Sequence, residues 1–281
     1  MRIVKEIHEM QRVVEKARCS GQKVSFVPTM GYLHEGHLSL IRQARQLAQL
    51  VVVSIFVNPT QFGPQEDYEG YPRDLDRDVE LSKGAGCDIL FVPSVKEMYP
   101  QGYCTYVEVE GLTHVLCGAS RPHHFRGVST VVAKLFHIVK PHLAVFGQKD
   151  FQQALVIRRM VGDLNQDVDI RIGPTFREPD GLAMSSRNEY LTPKQRAEAV
   201  ILYRALEWAR SRISAGERRA DHLMSGMAQM IEDKETAEID YISIVDAHQL
   251  QPIEQLRGEV LIALAVKFGR ARLIDNLLVQ V

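Results

Sequence analysis

His34 and His37 form the pair in this 281-residue chain best suited to chemistry. They lie in the segment Pro28-Thr29-Met30-Gly31-Tyr32-Leu33-His34-Glu35-Gly36-His37. Two imidazoles three residues apart can face one ligand. They can donate to phosphate oxygens and follow the charge that develops on a leaving pyrophosphate. Gly31 and Gly36 let the backbone approach such a ligand closely. Two surface histidines on a helix start are the plain alternative, but a glycine between them directly after a strand favours a site. The spacing excludes a metalloprotease, which needs His-Glu-x-x-His. No Walker-type loop is present, and Gly84-Ala85-Gly86 lacks the third glycine of a dinucleotide fingerprint.

Four further segments carry reactive or recognition groups, and each has a plain structural reading beside the functional one. Gly147-Gln148-Lys149-Asp150 offers Lys149 to a phosphate and Asp150 to a ribose hydroxyl, or it is a turn capped by Asp150. Met184-Ser185-Ser186-Arg187 puts two hydroxyls and a guanidinium in a row, as an anion clamp or a polar linker. Arg121-Pro122-His123-His124-Phe125-Arg126-Gly127 could bind a carboxylate through the Arg121 fork, or be a solvated loop. Asn58-Pro59-Thr60-Gln61-Phe62 presents amides for a small polar substrate, or a turn closed by Asn58. Asp74, Asp76 and Asp78 are conceivable Mg²⁺ partners, but such a run reads better as a solvated acidic face.

The elements that must position these groups follow from periodicity. Residues 23–27 read as a buried strand ahead of the histidine loop. Leu40, Ile41, Ala44, Leu47 and Ala48 recur at helical spacing behind it. A helix start there supplies free N–H groups and a positive dipole end, which suit phosphate. Residues 50–57 form a β-branched strand ended by Asn58-Pro59. Residues 63–72 read as a mobile loop, 73–83 as a charged helix and 88–92 as a strand. Helices are predicted over 128–139 and 151–164, and strands over 142–146 and 168–172. Alternating strands and helices imply a parallel sheet wrapped by helices, with ligands at the carboxyl ends of its strands.

The texture changes near residue 176. Thr192, Pro193 and Gln195 signal a helix start, with a capping box, and the helix is predicted to run through Trp208. A second helix is expected over 220–231, then strands over 239–245, 260–266 and 271–277. This order suggests a small α+β domain, so the chain divides into 1–175 and 176–281.

Composition sets the outer bounds. Hydrophobic residues make up 45% and charged residues 25%, as in an ordinary globular chain. The net charge is -1, and no basic stripe exists to hold a nucleic acid. No apolar stretch reaches membrane length, and the amino-terminal residues do not form a signal peptide. Cys19, Cys87, Cys104 and Cys117 are scattered, which suggests free thiols in a reducing cytosol rather than zinc ligands.

Taken in order, the segments resemble the pantothenate synthetase family. The likeness runs through 28–37, Phe56-Val57-Asn58-Pro59-Thr60-Gln61-Phe62, Tyr71-Pro72-Arg73 and Phe125-Arg126-Gly127-Val128. It continues through 146–153 and 180–188, strong over 24–191 and looser beyond. The resemblance implies a Rossmann-like sheet of the His-x-Gly-His nucleotidyltransferase type, with helices on both faces and a C-terminal α+β lid. It implies an ATP-dependent ligase: pantoate attacks the α-phosphate, and β-alanine then attacks pantoyl adenylate. By position, Met30, Gly31, Tyr32, Leu33, His34, Glu35, Gly36 and His37 would line the ATP site. His37 would be the proton donor, assisted by His34 and Lys149. Gly147, Gln148, Lys149 and Asp150 would also bind ATP, and Met184, Ser185, Ser186 and Arg187 would close over it. Phe176 stands where the family often has a valine contacting adenine through its backbone. Gln61 and Gln153 would hold pantoate, with Asn58 and Arg121 beside them. Mg²⁺ would accompany the triphosphate, and Arg77 interrupts the family's acidic stretch, so no protein metal ligand is expected. A homodimer is implied by the family alone. Rival readings are a nucleotidyltransferase acting on a small phosphorylated substrate, and a non-catalytic nucleotide-binding module.

Overall fold

A computed structural model of the chain describes residues 1–64 and 66–281. Residue 65, inside the loop expected over 63–72, lies outside the described residues. Six strands form one parallel sheet: β1 Arg2–Val4, β2 Val24–Thr29, β3 Leu50–Ile55, β4 Ile89–Phe91, β5 Leu143–Gly147 and β6 Asp169–Gly173, in the order β1-β4-β3-β2-β5-β6. From β2 the chain first builds outward through β3 and β4, then returns to the other side of β2 with β5 and β6. That reversal is a switch point, where a crevice opens beyond the carboxyl ends of β2 and β5.

Helices cover both faces. They are α1 Ile7–Cys19, α2 Glu35–Leu47, α3 Leu75–Gly84, the single turns α4 Val95–Met98 and α5 Cys117–Ser120, α6 His124–Val139 and α7 Phe151–Asp163. The pleat sends alternate side chains to opposite faces. Phe26 and Val52 join Met10, Val14, Phe136 and Ile157 in one core. Val27, Val51 and Val53 join Ile41, Ala44 and Leu90 in the other. Both faces of β2 and β3 are therefore dry, which explains their unbroken apolar runs.

After β6 come α8 Pro193–Ala199, α9 Ile201–Ser214 and α10 Ala220–Glu232. An antiparallel sheet follows: β7 Ala237–Asp246, β8 Glu259–Phe268 and β9 Ala271–Gln280. Val260, Ile262, Leu264 and Val266 of β8 pack on Leu206, Leu223 and Met227. The alternate residues Leu261 and Ala263 face the core of the large sheet. Burying such a side chain fully contributes about 1.5–3 kcal/mol, so β8 welds the two halves.

The main elements agree with expectation, and the departures are local. The helix predicted from Thr192 does open with a capping box, but it breaks at Val200 into α8 and α9. The first strand was not read from the sequence, because β1 is only three residues long, and α1 was missed although Met10 and Val14 recur at helical spacing. No helix is long and apolar enough to cross a membrane among the described residues.

Candidate active site

The crevice at the switch point opens into a cavity of about 580 Å³. Its walls come from the histidine loop, the turns after β3 and β5, the segments 174–176 and 184–187, and the strands β7–β9.

The histidine loop is held from below by Asp78 of α3. Its carboxylate accepts the N–H groups of Tyr32 and Leu33, both at 2.7 Å. Gly31 and Tyr32 both adopt positive φ, +83° and 50°. A Cβ on Gly31 would meet Ile55 Cγ2 at 2.8 Å and Asp78 Oδ2 at 3.0 Å, so a left-handed glycine is required. Burial raises the Asp78 pKa, and the two backbone N–H groups and Arg77 oppose that shift. Asp78 is 1% exposed, which corrects its reading as part of a solvated acidic face.

Both imidazoles are locked by backbone. His34 Nδ1 accepts the N–H of Gly36 at 3.2 Å and caps α2. His37 Nδ1 accepts the N–H of His34 at 3.3 Å, completing a capping box. The rings stand 4.0 Å apart. A backbone N–H can only donate, so each Nδ1 is unprotonated and each neutral ring carries its proton on Nε2. Burial, followed by the neighbouring positive charge, pushes the pKa of His34 down to about 2 and that of His37 to about 4. Lys149 is among the charges acting on both rings. The pair thus presents two neutral Nε2–H donors.

Across the crevice, Lys149 and Asp150 form the turn after β5. Among the described residues the Lys149 ammonium makes no ion pair. Asp150 makes no cap bond to α7, contrary to the plain-turn reading. The turn is instead held by Asn276 of β9, whose Nδ2 donates to the carbonyls of Gln148 and Lys149 at 2.9 and 2.8 Å.

The third wall begins at Asn58. Its Nδ2 donates to Gln61 Oε1 and to Gly127 O, both at 3.1 Å. Its Oδ1 accepts from Tyr99 OH at 2.8 Å and Thr60 Oγ1 at 2.9 Å. Every polar atom of this amide is used within the protein, so Asn58 acts by orienting Gln61 rather than by reaching a ligand. Gln61 Nε2 lies 3.1 Å from Met30 Sδ, which links this wall to the histidine loop. Gln153 lines the same cavity. Its neighbour Gln152 also lines the cavity, but its amide is engaged with Cys117 N–H, Leu112 O and Val115 O.

The segment 184–187 meets the loop 63–72 over the cavity. Arg187 makes two bonds to Asp67, each 3.0 Å. Tyr71 OH and Ser186 Oγ are 3.0 Å apart. Arg121 is likewise engaged, with Nε and Nη2 on Glu66 at 2.5 and 2.6 Å. The two arginines expected to meet anions therefore both rest on carboxylates of one loop.

Of the residues expected at the site, the cavity gathers Met30, His34, Gly36, His37, Asn58, Gln61, Arg121, Gly147, Lys149, Asp150, Gln153, Phe176, Met184, Ser185, Ser186 and Arg187. Five do not line it. Leu33 is fully buried in a core, and Gly31 shapes the loop from beneath. Tyr32 lies under Arg77, and Glu35 pairs with Arg42. Gln148 contributes its carbonyl to Asn276. Reading the sequence missed Glu66, Asp67, Tyr241, Arg272 and Asn276, which also line the cavity, as does His124 of the Arg121–Gly127 segment. They arrive from distant parts of the chain, and no local pattern marks them. Among the described residues no three His, Cys, Asp or Glu side chains converge to hold a metal ion.

Comparison with known proteins adds an independent line. The family described as Pantoate-beta-alanine ligase matches residues 2–278. The chain is 58% identical over 281 residues to the pantothenate synthetase of Moorella thermoacetica, covering 100% of this chain and 99% of that one. It is 54% identical over 281 residues to that of Acetivibrio thermocellus, with complete coverage of both. The crystal structure of pantothenate synthetase from Thermus thermophilus superposes with a TM-score of 0.94 at 47% identity, covering 99% of each chain. The pantoate-beta-alanine ligase of Francisella tularensis, complexed with beta-gamma ATP and beta-alanine, superposes at 0.80 and 36% identity. That match covers 99% of this chain and 97% of the other.

Proposed function

The chain belongs to the pantoate-beta-alanine ligase family, and on that premise we propose how its own residues carry the reaction. The enzyme condenses pantoate with β-alanine at the expense of ATP, giving pantothenate, AMP and pyrophosphate. In the first step a pantoate carboxylate oxygen bonds to the α-phosphorus of ATP. The bond from that phosphorus to the bridging oxygen breaks, and pyrophosphate leaves. In the second step the β-alanine nitrogen attacks the acyl carbon of pantoyl adenylate. The acyl C–O bond breaks, AMP departs, and the amine proton passes to solvent.

The observation that carries this assignment is the pair of neutral Nε2–H donors facing the same crevice as Lys149, which makes no ion pair among the described residues. Donors fixed in advance, where charge develops, stabilise a transition state without reorganising. His34 and His37 donate to phosphate oxygens, and Lys149 neutralises charge on the departing pyrophosphate. The buried tautomer supports reading His37 as a hydrogen-bond donor rather than as an imidazolium acid. Gln61 and Gln153 hold pantoate. Met184–Arg187 and the turn at Gly147–Asp150 enclose the nucleotide, with Phe176 beside the adenine. An acyl adenylate is destroyed by water, so the Asp67–Arg187 and Tyr71–Ser186 contacts protect it.

Mg²⁺ belongs to the substrate, as MgATP. A hard cation of this kind binds through phosphates with one or two carboxylates, so no protein cage is needed. Asp150, on the turn facing the phosphates, is the carboxylate available. We assign residues 1–175 to ATP and pantoate binding and 176–281 to the covering domain, in a cytoplasmic homodimer as the family membership suggests.

The test is substrate omission. With MgATP, pantoate and β-alanine present, AMP and pantothenate should form in equal amounts, and leaving out either small substrate should abolish multiple turnover. AMP release that ignores pantoate would overturn the assignment.

A further inference from the structure

β-Alanine keeps a negative carboxylate after its nitrogen is deprotonated, and the cavity must offer that anion a cation. Building on the ligase assignment, the cations lining the cavity can be sorted by what already engages them. Lys149 serves the phosphates, and Arg187 rests on Asp67. Lys267 pairs with Glu238 and Arg272 with Asp240. Arg270 stacks on Tyr190 at 4.6 Å. Arg121 alone is joined to Gln61, the residue beside the acyl group, since its Nη2 lies 3.4 Å from Gln61 O.

The surroundings of Arg121 make a finished carboxylate seat. His124 Nδ1 stands 2.9 Å from Gln61 O, and a carbonyl can only accept, so the proton is on Nδ1. His124 Nε2 is then an acceptor for Arg121 Nη1 at 3.3 Å. Burial, reinforced by Arg121, pushes the His124 pKa down to about 4, so the ring stays neutral beside the guanidinium. The remaining fork, Nε and Nη2, is bidentate to Glu66. Both partners are partly buried, with side chains 16% and 25% exposed. Burial works against the Glu66 charge, but its bonds to Arg121 win and hold the carboxyl at about 2.

We propose that Glu66 is a built-in stand-in for the amine substrate's carboxylate, occupying the Arg121 fork until β-alanine displaces it. The exchange replaces one bidentate carboxylate with another, so the partly buried guanidinium is never left bare. Glu66 retains the N–H of Gly63, which lies 3.1 Å from its Oε2 in the free enzyme. An amine without a carboxylate cannot perform the exchange. The device thus selects amino acids over simple amines and sets a threshold concentration for β-alanine.

The experiment compares β-alanine with propylamine as nucleophiles toward the adenylate. Pantoate-dependent exchange of pyrophosphate into ATP, with no amine present, first verifies the adenylation step in the unaltered enzyme. Absence of exchange would count against the ligase assignment and not against the role of Glu66. The quantity read is the ratio of kcat/KM for β-alanine to that for propylamine, which cancels the fraction of active protein. Glu66→Gln should raise this ratio about tenfold through a lower KM for β-alanine, the scale of one partly buried charge pair. Glu66→Asp, which keeps the charge but shortens the reach, should give a smaller rise. Arg121→Gln should lower the ratio about tenfold or more. A ratio that stays constant or falls in both Glu66 variants would overturn the proposal, leaving Glu66 as a mere brace for Arg121.

Discussion

The side-chain nitrogen of Asn276 stands 2.8 Å from the carbonyl oxygen of Lys149, and the same nitrogen also serves Gln148 at 2.9 Å. A residue of the last strand therefore fixes the turn that carries Lys149. Asn276→Ala leaves two carbonyls without their donor, which should cost about 1–3 kcal/mol of stability. Adenylation should slow about tenfold, matching the 1.4 kcal/mol scale of one such bond, with a higher KM for ATP. Urea unfolding and pyrophosphate exchange check the two effects. An unchanged KM for ATP would detach Asn276 from the turn's function.

Gly36 tests the histidine loop by volume alone. A methyl there would come within 2.9 Å of both Nδ1 and Cε1 of the His34 ring. Gly36→Ala should therefore rotate His34 off its backbone bond while leaving α2 formed. Adenylation should fall about a hundredfold, the scale of one misplaced catalytic group, with little loss of folded protein by circular dichroism.

The histidines also set the response to acid. His34, His37 and His124 have folded pKa values of about 2, 4 and 4, below the ordinary 6.5. Between about pH 4 and 6.5 the unfolded chain binds protons that the folded chain refuses, so stability rises with pH across that window. The urea midpoint should fall as pH drops from 7 to 5, above the range where most carboxylates titrate. His37→Gln should flatten that slope. In the same interval kcat/KM for ATP should lack a histidine limb near 6.5, because the free enzyme already holds both rings neutral.

Tyr71→Phe removes the hydroxyl that meets Ser186 at 3.0 Å. The fold should lose only about 1 kcal/mol, as for one neutral hydrogen bond. The seal over the adenylate should leak more. AMP formed with pantoate but without β-alanine should rise several-fold over its slow background, while pyrophosphate exchange persists. Equal background hydrolysis in both proteins would show that this contact does not exclude water.

Much of this architecture was legible in the sequence, because buried parallel strands and helix starts carry local signatures. The run at β3 and the Thr192–Gln195 capping box are such cases. The unread parts have tertiary causes. Asp78 shares an alternating acidic run with Asp74 and Asp76, and only the packing of α3 turns it under the histidine loop. Glu66 and Arg121 are 55 residues apart, and Asn276 and Lys149 are 127 apart. Polar pairs at such separations leave no periodic trace. Val200 and Ile201 continue the apolar pattern of their helix, so the break between α8 and α9 was invisible to periodicity. The candidate site was readable as segments, but which side chains were free and which were already engaged was not.

A carboxylate oxygen of pantoate is expected to bond to the α-phosphorus at this site ahead of attack by the β-alanine nitrogen. Pantoate carrying heavy oxygen in its carboxylate tests it directly, by mass spectrometry of the nucleotide after full turnover. The account predicts one heavy oxygen transferred to AMP and none to pyrophosphate. Unlabelled AMP, or label appearing in inorganic phosphate together with ADP, would contradict it.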